Sequence, residues 1–71
     1  MNMQTQLFNI GDKVRIIVDS EDSVLCASFD KGSEGVITKV DLDNDGTYSY
    51  DISCLEYDYC QWYVQDELEL I

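Results

Sequence analysis

The chemistry open to this chain depends on its carboxylates. Residues 41–46 read Asp-Leu-Asp-Asn-Asp-Gly, with carboxylates at alternate positions and a glycine at the sixth, like the first half of a calcium-binding loop. The twelfth position of such a loop should be a bidentate glutamate, but here it is Ile52. An acidic hairpin turn explains the same residues, and weak cation binding is the alternative. We therefore predict no high-affinity metal site, and calcium binding no tighter than roughly millimolar.

Other catalytic groups are scarce. The chain has no histidine, the side chain best suited to act as a base near neutral pH. Cys26, Cys54 and Cys60 therefore lack the usual partner that activates a thiol, and their spacing lacks the pairing of a zinc site. We expect no enzyme activity, no catalytic residue and no cofactor. The three thiols should be reduced and serve as small apolar side chains.

A second acidic segment combines carboxylates with aromatic rings. Residues 56–59 read Glu-Tyr-Asp-Tyr. Carboxylates pair with arginine and lysine, and tyrosine rings stack on guanidinium groups, so this pattern suits a surface that meets a basic partner. An ordinary packed hairpin is the alternative. The predicted partner-binding residues are Asp41, Asp43 and Asp45 in the first segment and Glu56, Tyr57, Asp58 and Tyr59 in the second.

The charge of the chain is polarised along the sequence. The basic residues are Lys13, Arg15, Lys31 and Lys39. Six acids and four bases give residues 1–39 a net charge of −2, and nine acids give residues 40–71 a net charge of −9. Such a field repels phosphates, which argues against direct binding to nucleic acid. It favours a basic protein surface, expected to belong to a nucleic-acid-binding complex, or a cation.

The composition indicates one folded domain. Disordered acidic chains are poor in aromatic and β-branched residues, whereas this chain is 45% hydrophobic and 11% aromatic. Its length of 71 residues allows a single domain over residues 1–71, with residues 1–7 as a candidate disordered tail. The absence of a basic leader or a long apolar run predicts a cytoplasmic protein that does not enter the membrane.

Alternating apolar and polar residues predict five short strands. Residues 47–53, for example, place Tyr48, Tyr50 and Ile52 on one face and polar side chains on the other. The predicted strands are 13–18, 36–41, 47–53, 61–64 and 68–71. The predicted core consists of Val14, Ile16, Ile37, Val40, Tyr50, Ile52, Trp62, Val64 and Leu68.

The connections are predicted from turn residues. Asp45-Gly46 between two β-rich runs is a strong hairpin signal. Residues 19–31 are polar with a few apolar side chains, which predicts a folded loop pinned by Val24, Leu25, Cys26 and Phe29. Residues 65–67 predict a short turn before the last strand.

Several stretches resemble the SH3-like barrels. They are residues 8–16 (FNIGDKVRI), residues 31–37 (KGSEGVI), Tyr48, residues 62–64 (WYV) and residues 67–70 (ELEL). Small KOW-type modules and short bacterial or phage SH3-like proteins share this outline. The resemblance covers the chain from Phe8 onwards and implies an all-β fold, a small five-stranded SH3-like barrel. It implies strand order and no function, and the chain departs from RNA-binding KOW modules because its second half has no basic loops.

In size and charge the chain is also similar to phage anti-restriction and anti-CRISPR proteins. That similarity implies a DNA mimic, which presents carboxylates where a partner expects phosphates. Alternate residues of a strand share a face at about 6.6 Å, and each DNA strand carries one phosphate per ~3.4 Å. We thus expect an inhibitor that occupies a basic, nucleic-acid-binding surface. The alternatives are an SH3-like protein–protein interaction module without DNA mimicry and, third, a calcium-responsive module.

Overall fold

The fold is built from short antiparallel strands, described for residues 4–71 in a computed structural model. The strands of this part of the chain are β1 (Lys13–Ile16), β2 (Glu34–Leu42), β3 (Tyr48–Cys54), β4 (Cys60–Val64) and β5 (Leu68–Leu70). Two 3₁₀ turns, Ser20–Asp22 and Gln65–Glu67, follow β1 and β4. The prediction of a small, five-stranded, all-β fold is confirmed.

The strands form a single sheet in the order β4-β3-β2-β1-β5. Strand β2 is the longest and pairs with both β1 and β3, so Gly35 lies opposite Val14 on one side and Cys54 on the other. The register shifts between Ile37 and Lys39, which marks a β-bulge. Strands β4 and β5 are the two edges of this sheet and do not pair with each other within the described residues, so the sheet is not closed.

The hairpin between β2 and β3 forms where the sequence predicts it. Gly46 adopts a positive φ of 86°, and its backbone N–H donates to the carbonyl of Asp43 at 3.0 Å. The N-terminal segment packs against this hairpin, because the backbone N–H of Gln4 donates to the carbonyl of Gly46 at 3.1 Å. Residues 1–3 of the predicted disordered tail lie outside the described residues.

One face of the sheet, together with the β1–β2 loop, encloses the core. The buried apolar residues are Phe8, Val14, Ile16, Ala27, Phe29, Ile37, Tyr50, Ile52, Cys54, Tyr63 and Leu68. The predicted core residues among them are Val14, Ile16, Ile37, Tyr50, Ile52 and Leu68. Val40 is half-buried and packs against this cluster.

The predicted core is wrong for β4. Trp62 is 37% exposed and Val64 is half-buried, whereas Tyr63 is fully buried. Tyr63 lies opposite Tyr50 in the pairing of β3 with β4, and both rings point into the core. Because side chains alternate along a strand, an error of one position moves every side chain of the strand to the other face.

The β1–β2 loop is folded back onto the sheet. Phe29 is fully buried, stacks on Tyr57 with ring centroids 4.3 Å apart, and donates its backbone N–H to the Tyr63 hydroxyl at 3.1 Å. The backbone N–H of Val24 donates to the buried carboxylate of Glu67 at 2.9 Å. The prediction that Val24 and Leu25 pin this loop with buried side chains is wrong, since both are exposed.

Candidate partner-binding site

A shallow groove lies on the outer face of the sheet beside the β2–β3 hairpin. It has a volume of about 480 Å³ and is lined by Leu25, Asp41, Asp43, Ser49 and Trp62. We call this site the hairpin groove. It brings together two of the predicted partner-binding residues, Asp41 and Asp43, with three residues that the sequence analysis did not select. Its volume falls within the range of about 300–1,000 Å³ that is usual for ligand sites.

Strand register places these side chains on one face. Asp41 lies opposite Ser49 in the pairing of β2 with β3, and Trp62 of β4 lies opposite Asp51 of β3. Directly opposed residues of neighbouring strands point to the same side of a sheet. The intervening Tyr50 points inward and is buried. The same alternation that builds the core therefore turns the groove residues outward.

Ser49 is the buried polar member of the groove. The residue is 5% exposed, and its hydroxyl makes no side-chain or backbone hydrogen bond within residues 4–71. No fully buried side-chain nitrogen or oxygen of the described residues lacks a partner. Because Ser49 lines the groove, its hydroxyl can donate or accept a hydrogen bond there.

The groove carboxylates are free of internal counter-charges. Within residues 4–71 both ion pairs are made by Arg15, with Glu34 at 3.2 Å and Glu69 at 3.3 Å. Lys39 lies two residues before Asp41 on β2 and forms no ion pair with a described acid. Asp41 and Asp43 are both exposed. They are therefore available to a cationic group from outside the chain.

The third predicted residue of the hairpin has a local role. The carboxylate of Asp45 accepts the backbone N–H of Thr47 at 3.0 Å, which stabilises the turn. Asp45 is exposed but does not line the groove. Residues 4–71 contain no group of three His, Cys, Asp or Glu side chains placed to hold a metal ion. The calcium affinity of residues 41–46 stays a prediction.

The second predicted segment lies at the opposite end of β3. Strand β3 has seven residues, so its two ends are separated by about 20 Å. Glu56 and Asp58 are exposed, and so is Tyr59. Tyr57 is half-buried, because its ring stacks on Phe29 and its hydroxyl accepts the backbone N–H of Asp30 at 3.2 Å. The structure therefore separates the two predicted acidic segments and gives Tyr57 a structural contact.

A second groove of about 410 Å³ lies near that end of the sheet. It is lined by Lys13, Glu34, Gly35, Val36, Thr38, Ser53 and Leu55. Leu55, in the turn after β3, is fully exposed. One cation and one carboxylate line this groove, so its charges do not select a partner of either sign.

Buried ionisable groups belong to the core and not to the hairpin groove. Burial, with a smaller contribution from Glu56, raises the pKa of the Cys54 thiol to about 11. Burial also raises the pKa of Tyr63 to about 12, although its hydrogen bond with the Phe29 backbone opposes the shift. Both groups are therefore neutral at physiological pH. Cys26 and Cys60 are exposed free thiols, which is contrary to the prediction of apolar packing for all three cysteines.

The sequence contains a partial signal for the residues that were missed. Trp62 alternates with the buried Tyr63, so either residue could have been assigned to the inner face. Ser49 lies on the polar face that the alternation of residues 47–53 predicts, whereas Leu25 carries no local signal, because its place in the groove depends on how the β1–β2 loop folds back onto the sheet. No family model matches the chain, and neither a curated protein nor a solved structure matches it. No helix within residues 4–71 is long and apolar enough to span a membrane.

Proposed function

We propose that this protein is a non-enzymatic acidic binding protein that occupies a basic, nucleic-acid-binding surface of a partner protein. The supporting observation is the hairpin groove, where the unpaired carboxylates of Asp41 and Asp43 lie beside the exposed ring of Trp62. A carboxylate pair next to an aromatic face is complementary to arginine and lysine side chains. The same residues repel a phosphate group.

The rest of the surface supports this assignment through its charge. Of the fifteen acidic side chains, twelve are exposed, Asp12 is half-exposed, and Asp51 and Glu67 are buried. A net charge of −11 on 71 residues attracts a basic surface over a distance and speeds up association, and salt screens this attraction. The dispersed acids thus act on the rate of encounter, and the groove supplies the close contacts.

The proposed function has two forms, which differ in whether this protein competes with DNA for its partner. In the first, the protein is a DNA mimic of the kind found among phage anti-restriction and anti-CRISPR proteins, and it competes with DNA for the partner. The alternate positions of Asp41 and Asp43, at about 6.6 Å along the chain, favour this form. In the second, the protein is an interaction module without DNA mimicry. The apolar groove residues Leu25 and Trp62 favour the second form, because they resemble no part of a phosphate backbone.

The test compares wild-type protein with two charge-matched variants in pull-down experiments. The groove variant carries Asp41→Asn and Asp43→Asn, and the control carries Glu21→Gln and Asp22→Asn, two exposed acids that are neither in the groove nor among the predicted partner-binding residues. Each variant removes two exposed charges. The proteins are immobilised and exposed to a cell lysate at low and at high salt, and retained proteins are eluted with excess duplex DNA. We expect wild type and the control to retain basic DNA-binding proteins that DNA releases, and the groove variant to lose them.

The outcomes separate the two forms of the function. Retained proteins that stay bound in excess DNA, with retention unchanged from low to high salt, would eliminate DNA mimicry and leave the interaction module. An equal loss of binding in both variants would show that net charge acts without the groove. Retention of the same proteins by wild type and by the groove variant would refute the proposed site.

A further inference from the structure

We infer that the hairpin groove is a binding site for an arginine side chain, which a basic partner inserts beside the β2–β3 hairpin. This inference rests on the proposed function and specifies the chemistry that the groove recognises. It assigns distinct contacts to the carboxylates of Asp41 and Asp43, the hydroxyl of Ser49 and the ring of Trp62. It predicts that arginine is preferred to lysine.

The polar atoms of the groove call for a ligand that donates several hydrogen bonds. The carboxylates of Asp41 and Asp43 only accept hydrogen bonds, and the Ser49 hydroxyl can accept one. Ser49 lines the groove although the residue is only 5% exposed, so its hydroxyl adds a polar atom to the two carboxylates there. A guanidinium group presents five N–H donors in a plane and carries a positive charge, so one group can reach several of these acceptors.

The apolar walls of the groove favour a planar cation with an aliphatic stem. Trp62 is 37% exposed and Leu25 is 44% exposed, and both line the groove. A guanidinium group is weakly hydrated and stacks on an indole face, while its methylene stem packs on a leucine side chain. A lysine ammonium group can pair with the carboxylates, but it is strongly hydrated and cannot stack as a plane. The two cations should therefore differ in affinity.

The chain does not supply this cation itself. Arg15, its single arginine, lies on β1 and pairs with Glu34 and Glu69. Strand β2 lies between β1 and β3, and β4 lies beyond β3, so Arg15 is remote from Trp62 in the order of strands. Lys39 does not line the groove. An arginine that occupies the groove must come from another molecule.

The test uses two short peptides of equal length and equal charge, one alternating glycine with arginine and the other alternating glycine with lysine. Trp62 is the single tryptophan of the chain, so its fluorescence reports binding at the groove directly. We expect the arginine peptide to change the Trp62 emission and to bind at least about fivefold more tightly than the lysine peptide. Trp62→Leu, measured by calorimetry, should reduce this ratio to about one while lysine-peptide binding persists.

Further variants distinguish failure of this inference from failure of the proposed function. Ser49→Ala should weaken the binding of both peptides, because guanidinium and ammonium groups can both donate to its hydroxyl, and the Glu21→Gln, Asp22→Asn control should keep the arginine preference. Circular dichroism checks that each variant is folded. Equal, salt-dependent affinities for both peptides would overturn the arginine site and leave the acidic binding function intact. An arginine preference that survives in Trp62→Leu would also overturn it. Failure of both peptides to bind would overturn both proposals.

Discussion

Trp62 and Tyr63 are adjacent in the chain but lie on opposite faces of β4. Tyr63 is fully buried, and its hydroxyl accepts the backbone N–H of Phe29, so the ring fills the core without leaving its polar group unpaired. Trp62 instead lies on the outer face, beside the exposed carboxylates of Asp41 and Asp43. The largest aromatic residue of the chain therefore lines the hairpin groove, and its smaller neighbour stabilises the fold.

We predict that alanine substitutions at these two positions have unequal effects on stability. Tyr63→Ala should lower the free energy of unfolding by about 3–5 kcal/mol, because it opens a cavity and leaves the Phe29 backbone N–H unpaired. Trp62→Ala should lower it by only about 1–2 kcal/mol, because the residue is already 37% exposed. Urea unfolding followed by circular dichroism measures both. Equal losses would show that Trp62 belongs to the core.

Strand β2 holds the sheet together, because it pairs with β1 and β3 at the same residues. At Gly35, where both neighbours pair, a Cβ atom would lie 2.7 Å from the Ile52 side chain and 2.7 Å from the Ser53 carbonyl. Real Cβ atoms do not approach other atoms so closely, and the Ser53 contact is with backbone. Only glycine lets β2 and β3 come this near while their inner faces remain packed.

Gly35→Ala should therefore destabilise the protein by about 1–3 kcal/mol, because β2 must move away from β3 to admit the methyl group. Ser53→Ala is the matched control, since Ser53 is exposed on the neighbouring strand and should change stability by no more than about 0.5 kcal/mol. Thermal unfolding of the two variants makes the comparison. A Gly35→Ala protein as stable as wild type would mean that the strands can separate at this point without cost.

Across the described residues, twelve of the fifteen acidic side chains are exposed, whereas one thiol and two phenols lie in the core. The groups with raised pKa values are Cys54, Tyr50 and Tyr63, and burial is the main cause for each. A raised pKa means that the folded state favours the neutral, protonated form of each of these three groups. In the unfolded chain the same groups ionise at lower pH, near 9 for cysteine and 10 for tyrosine. The core therefore makes the fold sensitive to alkaline pH.

We predict that the stability contributed by Cys54 is fully present below about pH 9 and is lost as pH rises through about 11. Over that interval the unfolded chain releases the thiol proton and the folded chain keeps it, so unfolding becomes more favourable. Tyr63 extends the loss towards pH 12. Chemical unfolding at a series of pH values should show a shallower decline in Cys54→Ala than in wild type. Ser53→Ala, which removes no ionisable group from the neighbouring position, should follow the wild-type curve.

Local patterns in the sequence determined most of the elements of this fold. The two-residue alternation within residues 47–53 specified β3, and Asp45-Gly46 specified the hairpin before it, because both signals depend only on neighbouring residues. The negative charge of residues 40–71 could be assigned in the same way, because this segment contains nine acids and no lysine or arginine, whatever its fold. The predicted roles of Asp41 and Asp43 came from this local information, and the structure places both at one groove.

Only the tertiary structure decided which side chains share that groove. The face of Trp62 follows from the register of β4 against β3, and the position of Leu25 follows from a loop tied to Glu67 at the far end of the chain. The separation of residues 41–45 from residues 56–59 follows from the length of β3. Alternation and turn residues act over a few positions, whereas register and loop packing depend on contacts between distant parts of the chain. For that physical reason the sequence alone determined an acidic all-β protein, and the fold determined which side chains line the hairpin groove.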